Sequence, residues 1–208
     1  MSARHKLRLE LISGPLWGQN LRSNVVGLGP GRWLKLSRAT RSALGKCAIC
    51  GGTDRLHAHE NWKYVEKLRS GVAILVGVDA ICTVCHSVQH WGRIQQLLAI
   101  GVMTPADERR LIRHFMKINK CNRAAFERHV VRSFGIWRSR SKKKWKIDWG
   151  AYEPMIIEAK AARELYRRRR EAAAGRRMSE RPVRAERDLV GLRLNGTSSR
   201  ESKSERRV

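Results

Sequence analysis

The chain has 208 residues, with 44 Lys and Arg against 18 Asp and Glu, a formal net charge of +26; that length fits one domain of ordinary size, or a small domain with appendages, and that charge calls for a polyanionic partner. No apolar run reaches the roughly 18 residues of a membrane span, and no apolar segment with a small-residue cleavage site follows Met1-Ser2-Ala3-Arg4, which argues against a membrane or secreted protein and for a cytoplasmic one. Nucleic acid, DNA first, is the expected partner; a protein partner stays open, and no seam fixes an oligomeric state.

Residues 1–31 read as an arm that ends in the breaker-rich Gly27-Leu28-Gly29-Pro30-Gly31. A short basic helix is expected over 32–44, anchored by Trp33, Leu34 and Leu36 and stopped by Gly45. Strands are expected over 56–65 and 72–82, the second bounded by Ser70-Gly71 and rich in β-branched residues. Val84, Val88, Trp91, Leu97 and Leu98 then recur at helical spacing, predicting one helix over 84–100 that ends at Gly101. Thr104-Pro105-Ala106-Asp107 starts another helix, since threonine caps, proline suits the first turn, and Asp107 with Glu108 favours the positive end of the dipole. Leu111, Ile112, Phe115, Met116 and Ile118 form its apolar stripe.

A helix over 122–137 follows, with Ala125, Val130, Val131 and Phe134 inward, and then a basic run over 138–146 broken by Trp145. Trp149-Gly150 closes the compact part, and a last helix over 155–174 carries Arg167-Arg168-Arg169-Arg170. The sequence thus predicts a small α+β protein: arm (1–31), core (32–103), helical extension with the basic run (104–150), basic helix (151–175) and a disordered basic tail (176–208), the last having too little apolar surface to offset chain ordering. Residues 163–208 hold 15 basic and 7 acidic side chains, a net of +8, so +18 belongs to the first 162 residues, where all seven tryptophans lie. The compact part is itself cationic.

Four of the five cysteines form Cys47-Ala48-Ile49-Cys50 and Cys82-Thr83-Val84-Cys85, two C-x-x-C pairs with 31 residues between them. Each pair can turn two thiolates toward a point about 2.3 Å away, so two pairs complete a tetrahedron around Zn²⁺. Gly51-Gly52 permits the tight turn after the first pair. With all four positions taken by sulfur, such an ion holds structure and does no chemistry. Cys121 stands alone as a small core residue.

Between the pairs lies Leu56-His57-Ala58-His59-Glu60-Asn61-Trp62, and the second pair runs on into His86-Ser87-Val88-Gln89-His90. On a strand His57 and His59 share one face and Ala58 and Glu60 the other, while His86 and His90, four apart on a helix, can grip one ion. Imidazoles from strand and helix around one pocket could hold a divalent ion and activate a water. Arg93, Lys142, Lys143, Lys144 and Lys146 are the candidates for neutralising phosphates.

Two cysteine pairs, an H-x-H-E strand and a C-H-x3-H helix together resemble an HNH endonuclease of the four-cysteine zinc type, with its ββα-metal fold. Trp17-Gly18-Gln19-Asn20-Leu21-Arg22, His59-Glu60-Asn61-Trp62 with Tyr64, His90-Trp91-Gly92-Arg93 and the later Ile136-Trp137-Arg138 and Trp145-Lys146-Ile147-Asp148 are similar to a bacterial and phage group of that family. The resemblance covers roughly residues 15–150. It implies hydrolysis of DNA phosphodiesters with one divalent cation (Mg²⁺, Mn²⁺ or Ni²⁺) beside the structural zinc. In the family pattern a metal ligand directly precedes the general-base histidine. Aligned so, His59 falls on the ligand and Glu60 on the base; shifted by one, His59 is the base, Ala58 cannot ligate, and His57 would substitute. Near the position of the family's asparagine stand Gly77 and the polar Asp79. His86 and His90 match the final metal-binding histidines. The alternative to an enzyme is an inactive zinc-stabilised nucleic-acid-binding protein or a component of a nucleoprotein assembly.

Overall fold

Helix α1 (Pro30–Leu44) starts after Gly29 at φ 85° with Pro30 in its first turn, and Gly45 ends it in the left-handed region at φ 60°. These ends belong to a computed structural model of the chain, which describes residues 5–179. An antiparallel hairpin follows, β1 (Leu56–Glu66) and β2 (Ser70–Cys82), with Leu56 opposite Cys82 and His59 opposite Asp79. Asn61 pairs with Gly77 but Trp62 with Leu75, so Val76 is an extra residue on β2 and the hairpin bulges there.

The expected single helix over 84–100 is two, α2 (Thr83–Gln89) and α3 (Trp91–Ala99), with the break at His90 (φ −87°, ψ 41°). One straight helix could not serve both of its faces. The bend lets Trp91 and Ile94 bury in the core, Trp91 edge-on to Phe126, while His86 and His90 keep another side.

Helix α4 (Pro105–Asn119) opens with a full capping box: Thr104 Oγ1 accepts from Asp107 N at 3.2 Å, and Asp107 Oδ2 accepts from Thr104 N at 2.9 Å. Such a cap is worth about 1 kcal/mol. Asn122 caps α5 (Arg123–Ser141) through Ala125 N at 3.0 Å.

The basic run then yields an unexpected strand, β3 (Lys144–Asp148), parallel to β2, so the sheet order is β1-β2-β3 and β1 lies at an edge. Its signal is period two: Trp145 and Ile147 are half-buried, Lys144 and Lys146 exposed. Gly71, opposite Trp145, is required because a Cβ there would collide with the indole. The last helix, α6 (Glu153–Ser179), begins in a compact unit that ends at Arg163 and continues in a second that begins at Glu164. In the second unit Arg167 pairs with Glu164 and Glu171, and Arg168 with Glu164, so part of the arginine cluster is satisfied along its own helix. Of the tail expected over 176–208, residues 176–179 continue the helix and the rest lies outside the described residues. Among the described residues no helix is long and apolar enough to cross a membrane.

The described part of residues 1–31, expected as an arm, supplies core instead. Leu7 and Leu9 join Val88, Trp91, Ile94, Leu111, Ile112, Phe115 and Phe126 in one buried cluster, while Leu21 and Leu28 join Leu75, Trp149, Ile156 and Ala159 in another. Each fully buried leucine is worth about 2 kcal/mol. The first cluster is fastened by His129 on α5, whose Nε2 accepts from Leu9 N at 3.1 Å. Burial, then His5, Arg132 and Arg8, hold the His129 pKa down at about 4.

A histidine depressed in the folded state stabilises fully above its unfolded value near 6.5, and that contribution is lost as pH falls toward the folded value. Acidification from pH 6.5 toward 4 is therefore expected to charge His129, abolish its acceptor and free the segment around Leu9. For this half-exposed ring the loss is on the order of 1 kcal/mol, or about 2–4 °C in Tm. His129→Gln, measured by thermal unfolding across that window, should flatten the slope relative to the parent; an unchanged slope would refute the assignment.

Candidate metal centres and the cavity beside the histidines

The loop before β1 and the start of α2 each present a cysteine pair. In the first, Cys47 N donates to Gly52 O at 2.7 Å and Gly51 N to Cys47 O at 2.9 Å, a reversal that needs the positive φ of 79° at Gly51. Cys50 N lies 3.5 Å from Cys47 Sγ, and Cys85 N stands at the same 3.5 Å from Cys82 Sγ. The two pairs are thus built alike, each with a backbone N–H stabilising a thiolate.

All four sulfurs lie within 4.8 Å of one another, and Cys50 Sγ is 3.6 Å from Cys82 Sγ. Tetrahedral bonds of about 2.3 Å to a central ion place sulfurs about 3.8 Å apart, close to this spacing. Cys47, Cys50, Cys82 and Cys85 are positioned to bind a metal ion, with a donor set consistent with zinc.

The electrostatics fit a cation. Burial, then the neighbouring thiols of Cys47, Cys82 and Cys50, push the Cys85 thiol far up; a divalent ion at the centre would reverse that repulsion. Burial opposes the Cys47 thiolate, but backbone N–H groups outweigh it and bring the thiol down to about 7. His114 on α4 places Nε2 3.1 Å from Cys85 Sγ, so its N–H can donate to a thiolate from outside the ligand set. Cys121 is half-buried and apart from this cluster.

The second group comes from the next stretch of the same elements. His59 on β1, His86 on α2 and His90 at the α2–α3 break have ring nitrogens within 4.8 Å of one another. The rings meet at 5.5 Å (His59–His86), 5.2 Å (His59–His90) and 4.6 Å (His86–His90) between centroids. His59 is only 7 % exposed, and its Nδ1 is buried without a hydrogen-bond partner, an orphan that a cation would satisfy. Burial, then neighbouring charges, lower all three: His59 to about 4, His86 to about 3, and His90 also downward. At neutral pH the rings are uncharged, the state in which imidazole offers a lone pair to a metal.

His57 stays outside this trio. It is exposed, stacks on His86 at 5.0 Å and 6°, and shares a 3.1 Å hydrogen bond with Thr83 Oγ1. Glu60 faces the other side of β1, where Oε1 accepts from Leu21 N at 2.7 Å and Oε2 from Trp62 Nε1 at 3.1 Å. Burial raises its pKa above the ordinary carboxylate value, against the opposing pull of those two donors. Asp79 is engaged by Asn61 Nδ2 at 2.6 Å.

Because β1 is an edge strand, both of its faces border one open cavity of about 560 Å³, lined by His57, His59, Glu60, His86, His90 and Arg93. Of the other candidate phosphate contacts, Lys143 is committed to Glu66 Oε2 and Lys67 O, both at 2.9 Å, while Lys142, Lys144 and Lys146 are exposed and do not line the cavity.

Sequence reasoning missed Glu10, Arg22 and Arg41, which also line it. Arg22 belongs to the Trp17–Arg22 stretch already singled out, but nothing in the spacing of Glu10 or Arg41 points to a site more than a dozen residues away. No family model matches the chain. No curated protein and no solved structure matches it either.

Proposed function

We propose that the protein is an HNH-type endonuclease that hydrolyses DNA phosphodiesters with a single divalent cation, beside a structural zinc held by Cys47, Cys50, Cys82 and Cys85. The observation that carries this reading is the convergence of His59, His86 and His90 from a strand and the following helix. It is supported by the β1–β2–α2 order, as in a ββα-metal unit, by the resemblance of the motifs, and by the net charge of +26.

His59, His86 and His90 would hold Mg²⁺, Mn²⁺ or Ni²⁺. A divalent ion held there would supply neutralisation of the charge that develops as a phosphodiester is cleaved. Arg93 and Arg41, on the cavity wall, offset further phosphate charge. Glu60, on the other face of β1 but bordering the same cavity, is assigned as the base for the attacking water, and burial makes that carboxylate a better base than an exposed one. His57, outside the trio, is assigned no ligand role.

A second reading, a zinc-stabilised nucleic-acid binder without catalysis, is favoured by one observation: both Glu60 oxygens already accept hydrogen bonds. Incubation of the purified protein with supercoiled plasmid separates the two. Nicking is expected with Mg²⁺, Mn²⁺ or Ni²⁺ and is expected to vanish in His90→Ala with DNA binding retained. Binding without cleavage under any of the three ions would decide for the binder.

A further inference from the structure

A second cavity, of about 830 Å³, adjoins the first, the two sharing Glu10, Trp62 and Tyr64 in their walls. Its outer wall is helix α5. Arg128 and Arg132 rise from that helix, both exposed, and Arg8 enters from the N-terminal segment. Arg8 lies 3.7 Å from Glu10, and Arg140 is bound to Glu66 at 2.9 Å while covering the Tyr64 ring at 3.9 Å. Among the described residues neither Arg128 nor Arg132 has an acidic partner. Four arginines thus stand against two carboxylates, Glu10 and Glu66, a surplus of positive charge with the Arg128 and Arg132 guanidinium groups uncommitted. Trp137 supplies an aromatic wall, fixed by its Nε1 donating to Ile12 O at 3.0 Å.

We infer that this cavity receives an unpaired stretch of the polynucleotide whose scissile phosphate lies at the histidine trio, with Arg128 and Arg132 on its phosphates and a base against Trp137. The inference rests on the nuclease reading for the strand's course but not for its chemistry. A concavity of this volume is the size of a small-molecule site. A paired duplex could set phosphates only on its rim, because its bases stay stacked inside the helix. An unpaired base exposes a π-face, and stacking on an aromatic side chain is worth about 1–3 kcal/mol regardless of sequence. Glu10, Trp62 and Tyr64, common to both walls, set the two cavities side by side, within reach of one strand, an arrangement that an isolated nucleotide site would not need. The cavity therefore selects DNA with a single-stranded extension, such as a flap or overhang, over blunt duplex.

The test uses full-length, zinc-loaded protein in buffer without added divalent ion, so that no cleavage intervenes. Fluorescence anisotropy compares a blunt duplex, the same duplex with an unpaired extension of about ten nucleotides, and the free single strand. The extended duplex is expected to bind at least about tenfold more tightly than the blunt one, the lower part of the range that stacking one base confers. Arg128→Ala with Arg132→Ala should bring the two to within about twofold. Lys142→Ala with Lys144→Ala, outside the cavity, should weaken all three DNAs alike through lost phosphate contacts. Equal affinity for blunt and extended duplex, or an undiminished preference in the arginine double variant, would overturn the inference. A preference for extended DNA in a protein that never cuts would sink the nuclease reading and leave this one standing; cutting without that preference would do the reverse.

Discussion

If the four-cysteine site holds zinc as proposed, replacing Cys85 with Ser is expected to strip the protein of that ion and of its cooperative thermal transition. Cys85 has no solvent exposure, its sulfur lies in the four-thiol group, and it sits in the first turn of α2, which carries His86 and leads into His90. A serine hydroxyl is a poor substitute for a soft thiolate, and it would leave three mutually repelling thiolates without their fourth partner. Structural zinc sites contribute about 10–16 kcal/mol in small domains, while whole domains are stable by only about 5–15 kcal/mol. One lost ligand can therefore remove the margin altogether. Zinc per chain by elemental analysis and unfolding by circular dichroism would read the effect. Cys121→Ser, at a half-buried thiol apart from the cluster, is the control and should keep one zinc and most of the parent Tm. A Cys85→Ser protein that still holds one equivalent of zinc would refute the closed four-sulfur site.

What the sequence revealed about this molecule was what lies close along the chain. The cysteine spacing, the H-x-H-E strand and the i, i+4 histidines are local patterns, and strand and helix periodicity alone brings His86 and His90 onto one face. The helix starts at Thr104 and Asn122 were likewise legible, because caps are chemistry of three or four neighbouring residues. The arm was misjudged because Leu7 and Leu9, although they alternate with charged residues as in a strand, pair with no strand, and Leu21 and Leu28 follow no helical or strand period. Their burial comes from partners as distant as Phe115 and Ile156.

The same distance effect hid the second strand partner of β2. Residues 144–148 alternate correctly but are too short and too charged to be read as a strand until Gly71 makes room for Trp145. The break at His90 was hidden for a related reason. Apolar spacing continues through it, and only the competing demands of the core on Trp91 and of the cavity on His86 and His90 bend the helix there. Glu60 shows the limit from the other side: its place next to His59 was plain, but the Leu21 N–H that engages it comes from 39 residues away.

On the proposed nuclease reading, Glu60→Gln is expected to lower the DNA-cleavage rate by about 10²–10⁴-fold, the span that a positioned general base contributes. The substitution keeps size and shape, so a carbonyl oxygen can still accept from Leu21 N, while the amide can no longer take a proton from water. Its NH₂ would meet the Trp62 Nε1–H donor, a mismatch of about 1–3 kcal/mol in stability that leaves the histidine trio in place. Divalent-ion affinity, read by calorimetry on the variant, should stay within about twofold of the parent, because Glu60 lies on the opposite face of β1 from His59.

A base role and a purely structural role separate at that point. If Glu60 only braces the Leu21 loop and Trp62, Gln should lose stability with cleavage per folded molecule retained, and Glu60→Ala should be worse than Gln in both. If it is the base, Gln and Ala should be equally inactive while differing in Tm, and Glu60→His, which places an imidazole where one of the two alignments with the resembling family puts its base, should recover part of the rate. Full cleavage by Glu60→Gln would move the base to another group on the cavity wall, of which Glu10 is the remaining carboxylate.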